Sequence, residues 1–362
     1  MVKSAYIHIP FCRQKCHYCS FVSFPYFEKK EQYLSSLKKQ ISVEYKGEEL
    51  NTLYFGGGTP SLLSPDEISS LIQMFKLADD AEVTLELNPE TVNQEYFTEL
   101  AKTRVNRLSV GSQSFDNEIL SLIGRCHKAE DIFQVVKDAR NAGFENISLD
   151  FIYGLPNQTG ESFVGDLEKA IELGVEHISL YGLKIDEDCY FANFPPENMA
   201  DDDIQAQMYL SAIETLTKNG FRHYEISNFS RGDKYSRHNV TYWKNQEYYG
   251  FGLAAHGYVD GVRYSNIAEL SKYLCEPCQK DSEQILSIQE KLEEEIFLGL
   301  RLVEGINIKE IEKKFNIDFC EKYSTILKKY EQEGLLEIKS DFMRFTKQGF
   351  LVSNYILADF IE

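Results

Sequence analysis

Short apolar runs alternate with longer amphipathic stretches through the first half of the chain. Residues 5–10, 51–55, 82–88, 107–113, 147–153 and 177–183 read as strands. Between them, residues 28–45, 94–102 and 161–173 read as helices, and helical stretches run up to Asn141, with Gly143 as a stop. A further helix opens at Ser64-Pro65-Asp66-Glu67, where Ser64 suits the N-cap, Pro65 the first helical position and Glu67 the reciprocal partner of a capping box. The pattern predicts six strand–helix repeats of roughly 30 residues each, hence a parallel sheet with helical crossovers. Six units fall short of an eight-fold barrel, so the predicted α/β fold is a partial (β/α)6 open barrel. An open doubly wound sheet is the alternative, but cysteines follow the first strand where that fold carries a G-x-G-x-x-G turn.

The alternation fades after Leu183. Residues 186–203 carry Phe-Pro-Pro and acidic side chains and read as a loop, 204–218 as a helix and 222–229 as a strand. A dense aromatic and polar stretch follows from Arg237 to His256. Residues 290–302, 308–315 and 321–333 read as helices, 336–339 and 342–345 as short strands, and a last helix closes the chain, an order that is winged-helix-like. Three segments are thus expected: a core at 1–185, an extension at 186–286 and a mainly helical domain at 287–362.

Composition narrows the classes. The chain has 362 residues, 57 acidic and 38 basic, for a formal net charge of −19. That balance argues against non-specific nucleic-acid binding, which rests on phosphate neutralisation, so the winged segment reads as a packing or partner domain. No apolar run approaches the ~18 residues needed to cross a bilayer, and the short apolar start runs straight into Arg13, Gln14 and Lys15, unlike a signal peptide. Cys126, Cys189, Cys275, Cys278 and Cys320 are scattered, which predicts a reduced, cytoplasmic protein, and Cys275-Glu-Pro-Cys278 reads as a surface-loop pair.

The remaining cysteines are not scattered. Cys12, Cys16 and Cys19 form C-x3-C-x2-C directly behind the first strand. Iron–sulfur cubes are normally held by four cysteines, so three within eight residues predict a [4Fe-4S] cluster with one iron open to a small molecule. A structural zinc site would want two separated ligand pairs. Three strands also carry polar residues where a buried parallel strand should be apolar: Glu86, Gln113 and Asp150. A buried carboxylate needs a partner, and strand ends line the active site of α/β barrels, so the three are expected to face a polar ligand. Gly56-Gly57-Gly58-Thr59-Pro60 after the second strand offers bare backbone at the same rim.

In order along the chain, Cys12-x3-Cys16-x-Tyr-Cys19, Gly-Gly-Gly-Thr-Pro, Val-Gly-Ser-Gln-Ser-Phe, Asp-Phe-Ile-Tyr-Gly-Leu-Pro and His-Asn-x-x-Tyr-Trp together resemble the radical S-adenosylmethionine superfamily, specifically its HemN/HemW branch. The resemblance implies a [4Fe-4S] cluster on Cys12, Cys16 and Cys19, with S-adenosylmethionine chelated by the open iron and cleaved to a 5′-deoxyadenosyl radical by an electron from a donor such as flavodoxin or ferredoxin. It further implies Tyr6 and Tyr18 beside the cluster, Gly57, Gly58 and Thr59 on the methionine part, Glu86, Gln113, Arg125 and Asp150 on its polar groups and ribose, and Gly182 near the adenine. Oxygen-independent coproporphyrinogen III dehydrogenases, which form protoporphyrinogen IX in porphyrin biosynthesis, carry one more cysteine two residues after the third; here that position is Phe21. The His-Asn-x-x-Tyr-Trp motif is instead similar to the HemW-type haem chaperones, which implies haem as cargo and haem-accepting proteins, respiratory enzymes at the membrane among them, as partners. Homodimerisation and peripheral membrane association stay open. Within the motif His238 could ligate haem iron, with Asn239 beside it and Tyr242 and Trp243 packing on the porphyrin; the competing reading is a hydrogen-bonded structural corner. His256 is a weaker ligand candidate.

Overall fold

The computed structural model describes residues 1–25 and 27–361. Its first half repeats one unit: β1 (Ser4–Ile9), α1 (Lys30–Glu44), β2 (Leu50–Gly57), α2 (Pro65–Ile72), β3 (Leu77–Leu87), α3 (Gln94–Leu100), β4 (Arg107–Gln113), α4 (Asn117–Leu122), α5 (Ala129–Asn141), β5 (Ile147–Tyr153), α6 (Gly160–Glu172) and β6 (His177–Gly182). Strands β1 to β6 pair in sequence order, all parallel. The sheet is α/β, with a helical C-terminal region, as the alternation predicts. Ser64 and Glu67 make the capping box reciprocally at the start of α2.

The strands alternate rather than running apolar. Ile7, Phe55, Val83, Leu85, Leu108, Val110, Leu149, Phe151, Ile178 and Leu180 are fully buried in the core, each contributing about 2 kcal/mol relative to an exposed side chain. The intervening positions, including Thr52, Glu82, Thr84, Arg107, Ser109, Ser148, His177 and Ser179, are also buried but polar. Successive strand residues point to opposite faces, so one face packs the helices and the other lines a polar interior. Glu86 and Asp150 belong to that inner face, which explains their place in otherwise apolar strands.

Past β6 the structure departs from the predicted elements. The stretch expected to be a loop contains a one-turn helix, α7 (Tyr190–Asn193), before α8 (Asp202–Lys218). The strand expected at 222–229 is a hairpin, β7 (Arg222–Glu225) and β8 (Asn228–Ser230), because the Ile226 N–H turns away to Arg301 O and the Ser227 N–H folds back on the Glu225 carboxylate. The hairpin pairs antiparallel to β6. The aromatic stretch forms α9 (Arg237–Trp243) and β9 (Tyr249–Phe251), and β9 adds to the free side of β1, giving the order β7-β8-β6-β5-β4-β3-β2-β1-β9.

A second sheet holds β10 (His256–Val259), β11 (Val262–Asn266) and, after α10 (Leu270–Cys275), β12 (Lys280–Ile285). The remainder is α11 (Ile288–Gly299), β13 (Ile306–Asn307), α12 (Ile308–Phe315), α13 (Phe319–Lys322), α14 (Ser324–Gln332), the hairpin β14 (Leu336–Lys339) and β15 (Phe342–Phe345), α15 (Lys347–Leu351) and α16 (Ser353–Ala358). Where one helix was expected over 321–333 there are two, and the hairpin gains β13 as a third strand. Among the described residues no helix is long and apolar enough to cross a membrane.

Glu225, fully buried, lies where the barrel edge meets the C-terminal region through the bridge to Leu302. Burial pushes its carboxyl up to about 7 from an ordinary 4.5. A carboxyl raised on folding binds more protons in the native state between those values, so stability falls as pH rises from about 4.5 to 7. Glu86, raised into the same range, adds to that slope, so Glu225→Gln should make it shallower rather than abolish it and gain about 3 kcal/mol at pH 8, an order-of-magnitude figure from the shift, read by urea unfolding across pH. An unchanged slope in the variant would disprove the assignment.

Candidate functional site

The loop after β1 carries the three cysteines, and it is anchored on every side. Cys12 N–H donates to Phe24 O, Phe24 N–H to Pro10 O, and His17 N–H to Ile123 O. The unforeseen α7 braces it: Phe191 N–H donates to His17 O and the Tyr190 ring lies 4.5 Å from that of His17; ahead of α7, Asp186 accepts from Ser20 Oγ at 2.8 Å. This loop closes one wall of a pocket of about 400 Å3 at the C-terminal ends of the parallel strands, the end where α/β barrels place their sites.

Twelve predicted residues meet there: Cys12, Cys16, Tyr18, Cys19, Gly57, Gly58, Thr59, Glu86, Gln113, Arg125, Asp150 and Gly182 all line the pocket. Gly57 sits at φ 118°, and a Cβ there would come within 2.7 Å of the His8 ring; at Gly58 it would lie 2.6 Å from Phe11 O and 3.0 Å from Cys12 Sγ. Only glycine lets β2 end this close to the cysteine loop. Gln113 ends β4 at φ 66°, at a register shift between Gly111 and itself. A left-handed glutamine is uncommon and strained, and such residues gather at functional sites.

Burial raises Cys12, and raises Cys19 to about 11, so binding a metal at either sulfur has to displace a proton. Thr59 Oγ1 donates to Cys12 Sγ at 3.4 Å and Arg125 Nη1 to Cys16 Sγ at 3.5 Å. Among the described residues no three His, Cys, Asp or Glu side chains converge on a single metal ion. A cube makes a different demand, one thiolate for each of three irons, and three thiols around one pocket wall with donors aimed at sulfur fit that group.

Across the pocket, Glu86 accepts from Tyr54 Oη at 2.8 Å and from Gly57 N–H at 3.2 Å. Burial, with Asp150 nearby, raises it to about 7. Asp150 accepts from Ser109 Oγ at 2.8 Å and Ser148 Oγ at 2.9 Å, and Ser148 Oγ in turn lies 2.7 Å from His177 Nδ1. Ser109, Ser148, His177, Tyr54 and Asn88 escaped the sequence reading. Serines and a tyrosine in strands carry no distinctive spacing, and Asn88 was hidden in an Asn-Pro turn signal.

Two sets of expected residues lie behind the pocket wall rather than on it. Tyr6 is not among the pocket-lining residues; its hydroxyl lies 3.2 Å from His8 Nδ1 and its ring stacks on Tyr54, one layer below the cavity. The haem candidates lie at the opposite end of the barrel. Glu82 accepts from the N–H groups of Arg237 and His238, and Ser4 Oγ meets Thr241 Oγ1, so α9 plugs the strands near their N-terminal ends. His238 is 1% exposed, with Nδ1 2.8 Å from Thr52 Oγ1 and Nε2 2.7 Å from Tyr242 Oη. Its ring stacks on Tyr54, and burial lowers its pKa to about 3. With both nitrogens engaged, this ring presents none to an iron. Asn239 N–H donates to Ser236 Oγ, and Trp243 is half-buried with the Arg301 guanidinium 5.6 Å above its ring. The arrangement matches the structural corner. His256 is exposed at the start of β10, and Cys275 and Cys278 are free.

An open parallel barrel whose first strand delivers three cysteines into a pocket lined by the ends of its neighbours defines a radical SAM protein. The sequence model of the Radical SAM superfamily matches residues 6–170, and that of the HemN C-terminal domain matches residues 286–352. "Heme chaperone HemW" of Lactococcus lactis is 38% identical, covering 99% of this chain and 97% of that protein. The Bacillus subtilis protein of the same name is 35% identical over 99% of each. The chain belongs to the HemW family of the radical SAM superfamily. Its fold also matches the structure of the Escherichia coli coproporphyrinogen III oxidase HemN, a radical SAM enzyme, with a TM-score of 0.87 at 24% identity over 99% of this chain and 90% of that one.

Proposed function

We propose that this chain holds a [4Fe-4S] cluster on Cys12, Cys16 and Cys19, binds S-adenosylmethionine in the adjoining pocket, and carries haem for delivery to haem-accepting proteins. The observation that supports the site is the meeting of the three thiols with Glu86, Gln113, Arg125 and Asp150 in one cavity of about 400 Å3, a volume typical of small-molecule sites. The cluster would supply the electron and the open iron. The chain's own residues bind and orient: Gly57 and Gly58 allow close approach, Glu86 and Asp150 offer acceptors, and Arg125 offers positive charge. Haem as cargo rests on the names of the full-length relatives. Segment 186–286 would then serve as the extension that plugs and braces the barrel, and 287–362 as the partner-facing domain.

The competing reading is oxidative decarboxylation of coproporphyrinogen III, the activity in the name of the fold match. Phe21 weighs against it. This side chain is 68% exposed at the pocket mouth, where the decarboxylases are expected to carry a cysteine. Reconstituted protein given coproporphyrinogen III, S-adenosylmethionine and dithionite without oxygen should leave the porphyrinogen unchanged, while a haem titration of the same preparation should saturate. Accumulation of protoporphyrinogen would overturn the carrier reading. With both ring nitrogens of His238 engaged, His238→Ala should lower stability by about 1–3 kcal/mol, as expected for leaving Thr52 and Tyr242 without a partner, and keep haem binding; loss of haem binding by a folded variant would make His238 a haem ligand.

A further inference from the structure

Asn88 follows the last residue of β3, and its side-chain amide stands between two of the cluster-side donors. Nδ2 donates to Thr59 Oγ1 at 2.9 Å, and Thr59 Oγ1 donates in turn to Cys12 Sγ at 3.4 Å. Oδ1 accepts from Arg125 Nη2 at 2.6 Å, and the same guanidinium donates to Cys16 Sγ through Nη1 at 3.5 Å. The Gly111 carbonyl takes a second bond from Nη2 at 2.6 Å. A Cβ on Gly111 would lie 2.8 Å from Asn88 Oδ1 and 3.2 Å from Arg125 Nη2, so the bare backbone leaves this junction its space.

We propose that Asn88 is a positioning residue that locks Thr59 onto Cys12 and Arg125 onto Cys16, and so sets the reduction potential of the cluster. The inference rests on the cluster assignment above. The bond to Asn88 uses the lone pair of Thr59 and leaves its proton for sulfur. The bond from Arg125 fixes the guanidinium plane so that its other nitrogen points at Cys16. Hydrogen bonds and positive charge at a thiolate draw density from iron and favour the more negative, reduced cluster. Without Asn88 both donors swing free, and the potential falls. Asn88 touches neither sulfur itself; it acts through its two neighbours.

The test is an EPR-monitored redox titration of reconstituted protein without S-adenosylmethionine, against dithionite-poised mediators, which needs no turnover. Asn88→Ala should shift the midpoint negative, with the reduced-to-oxidised ratio at a fixed potential falling about tenfold, or ~59 mV for a one-electron couple. Thr59→Val should shift the same way, and Thr59→Ser should match the parent. The double variant Asn88→Ala/Thr59→Val should fall short of the sum of the single shifts, since one path runs through Thr59. A parent-like potential in Asn88→Ala with full cluster content, or strictly additive shifts, would overturn the proposal. If Asn88→Ala holds no cluster, the Thr59 pair decides, and a parent-like potential in Thr59→Val overturns it equally. Iron and sulfide analysis of the parent comes first: a parent without a cluster defeats the site assignment rather than this inference.

Discussion

Alanine at Cys16 abolishes the cluster. The residue supplies one of only three thiolates, and no other cysteine lines the pocket among the described residues. The nearest replacement in sequence, Cys126, is exposed outside it. Arg125 Nη1 also loses its acceptor, while Nη2 keeps Asn88 and Gly111. Reconstituted Cys16→Ala should lack the broad thiolate-to-iron absorbance at about 400 nm and its iron content should drop to background, while circular dichroism stays that of the parent because no core contact is removed. Full cluster content in this variant would show that the ligand set is wrong.

The second large effect concerns Glu86. Its carboxylate is fixed by Tyr54 Oη and Gly57 N–H and faces the cavity. Glu86→Leu should weaken S-adenosylmethionine binding by about thirtyfold or more, ~2 kcal/mol, as follows when one partner of a buried charge-assisted contact is removed. Because burial raises Glu86 to about 7, it is protonated below that pH and ionised above it. Affinity of the parent should therefore rise as pH passes upward through about 7, and Glu86→Gln should lose that rise. Equilibrium dialysis of labelled S-adenosylmethionine across pH reads both. Equal affinity in parent and Glu86→Leu would remove Glu86 from the site.

Much of the site was legible because its chemistry is written in runs and offsets. Three cysteines behind a strand, glycines closing the next one, and single polar residues in apolar strands all survive as local patterns, and the structure gathers them in one pocket. Six parallel strands followed from the repeat alone. What stayed hidden depends on tertiary contact. Ser109 and Ser148 matter because β4 and β5 lie side by side and place both hydroxyls on Asp150. Asn88 matters because Thr59 and Arg125, 29 and 37 residues away, converge on it. Tyr6 and the α9 motif were placed by chemistry alone. Aromatic and imidazole side chains suit a cofactor, yet here they pack behind the pocket: His238 bridges Thr52 and Tyr242 and stacks on Tyr54, whose hydroxyl holds Glu86. No spacing distinguishes a ligand histidine from one satisfied on both nitrogens. The hairpin at β7 and β8 looks like one strand in sequence because its turn depends partly on Arg301 O, far along the chain, which accepts from Ile226 N–H.

Haem transfer to an acceptor is the decisive measurement. Reconstituted protein would be loaded with one equivalent of haem under anaerobic conditions with S-adenosylmethionine, mixed with an excess of an apo haem protein, and separated by size exclusion with absorbance recorded on both peaks. Haem should leave this chain and appear in the acceptor while the cluster stays on Cys12, Cys16 and Cys19. Haem that never binds this chain, or that stays on it whatever acceptor is present, would contradict a role in haem delivery.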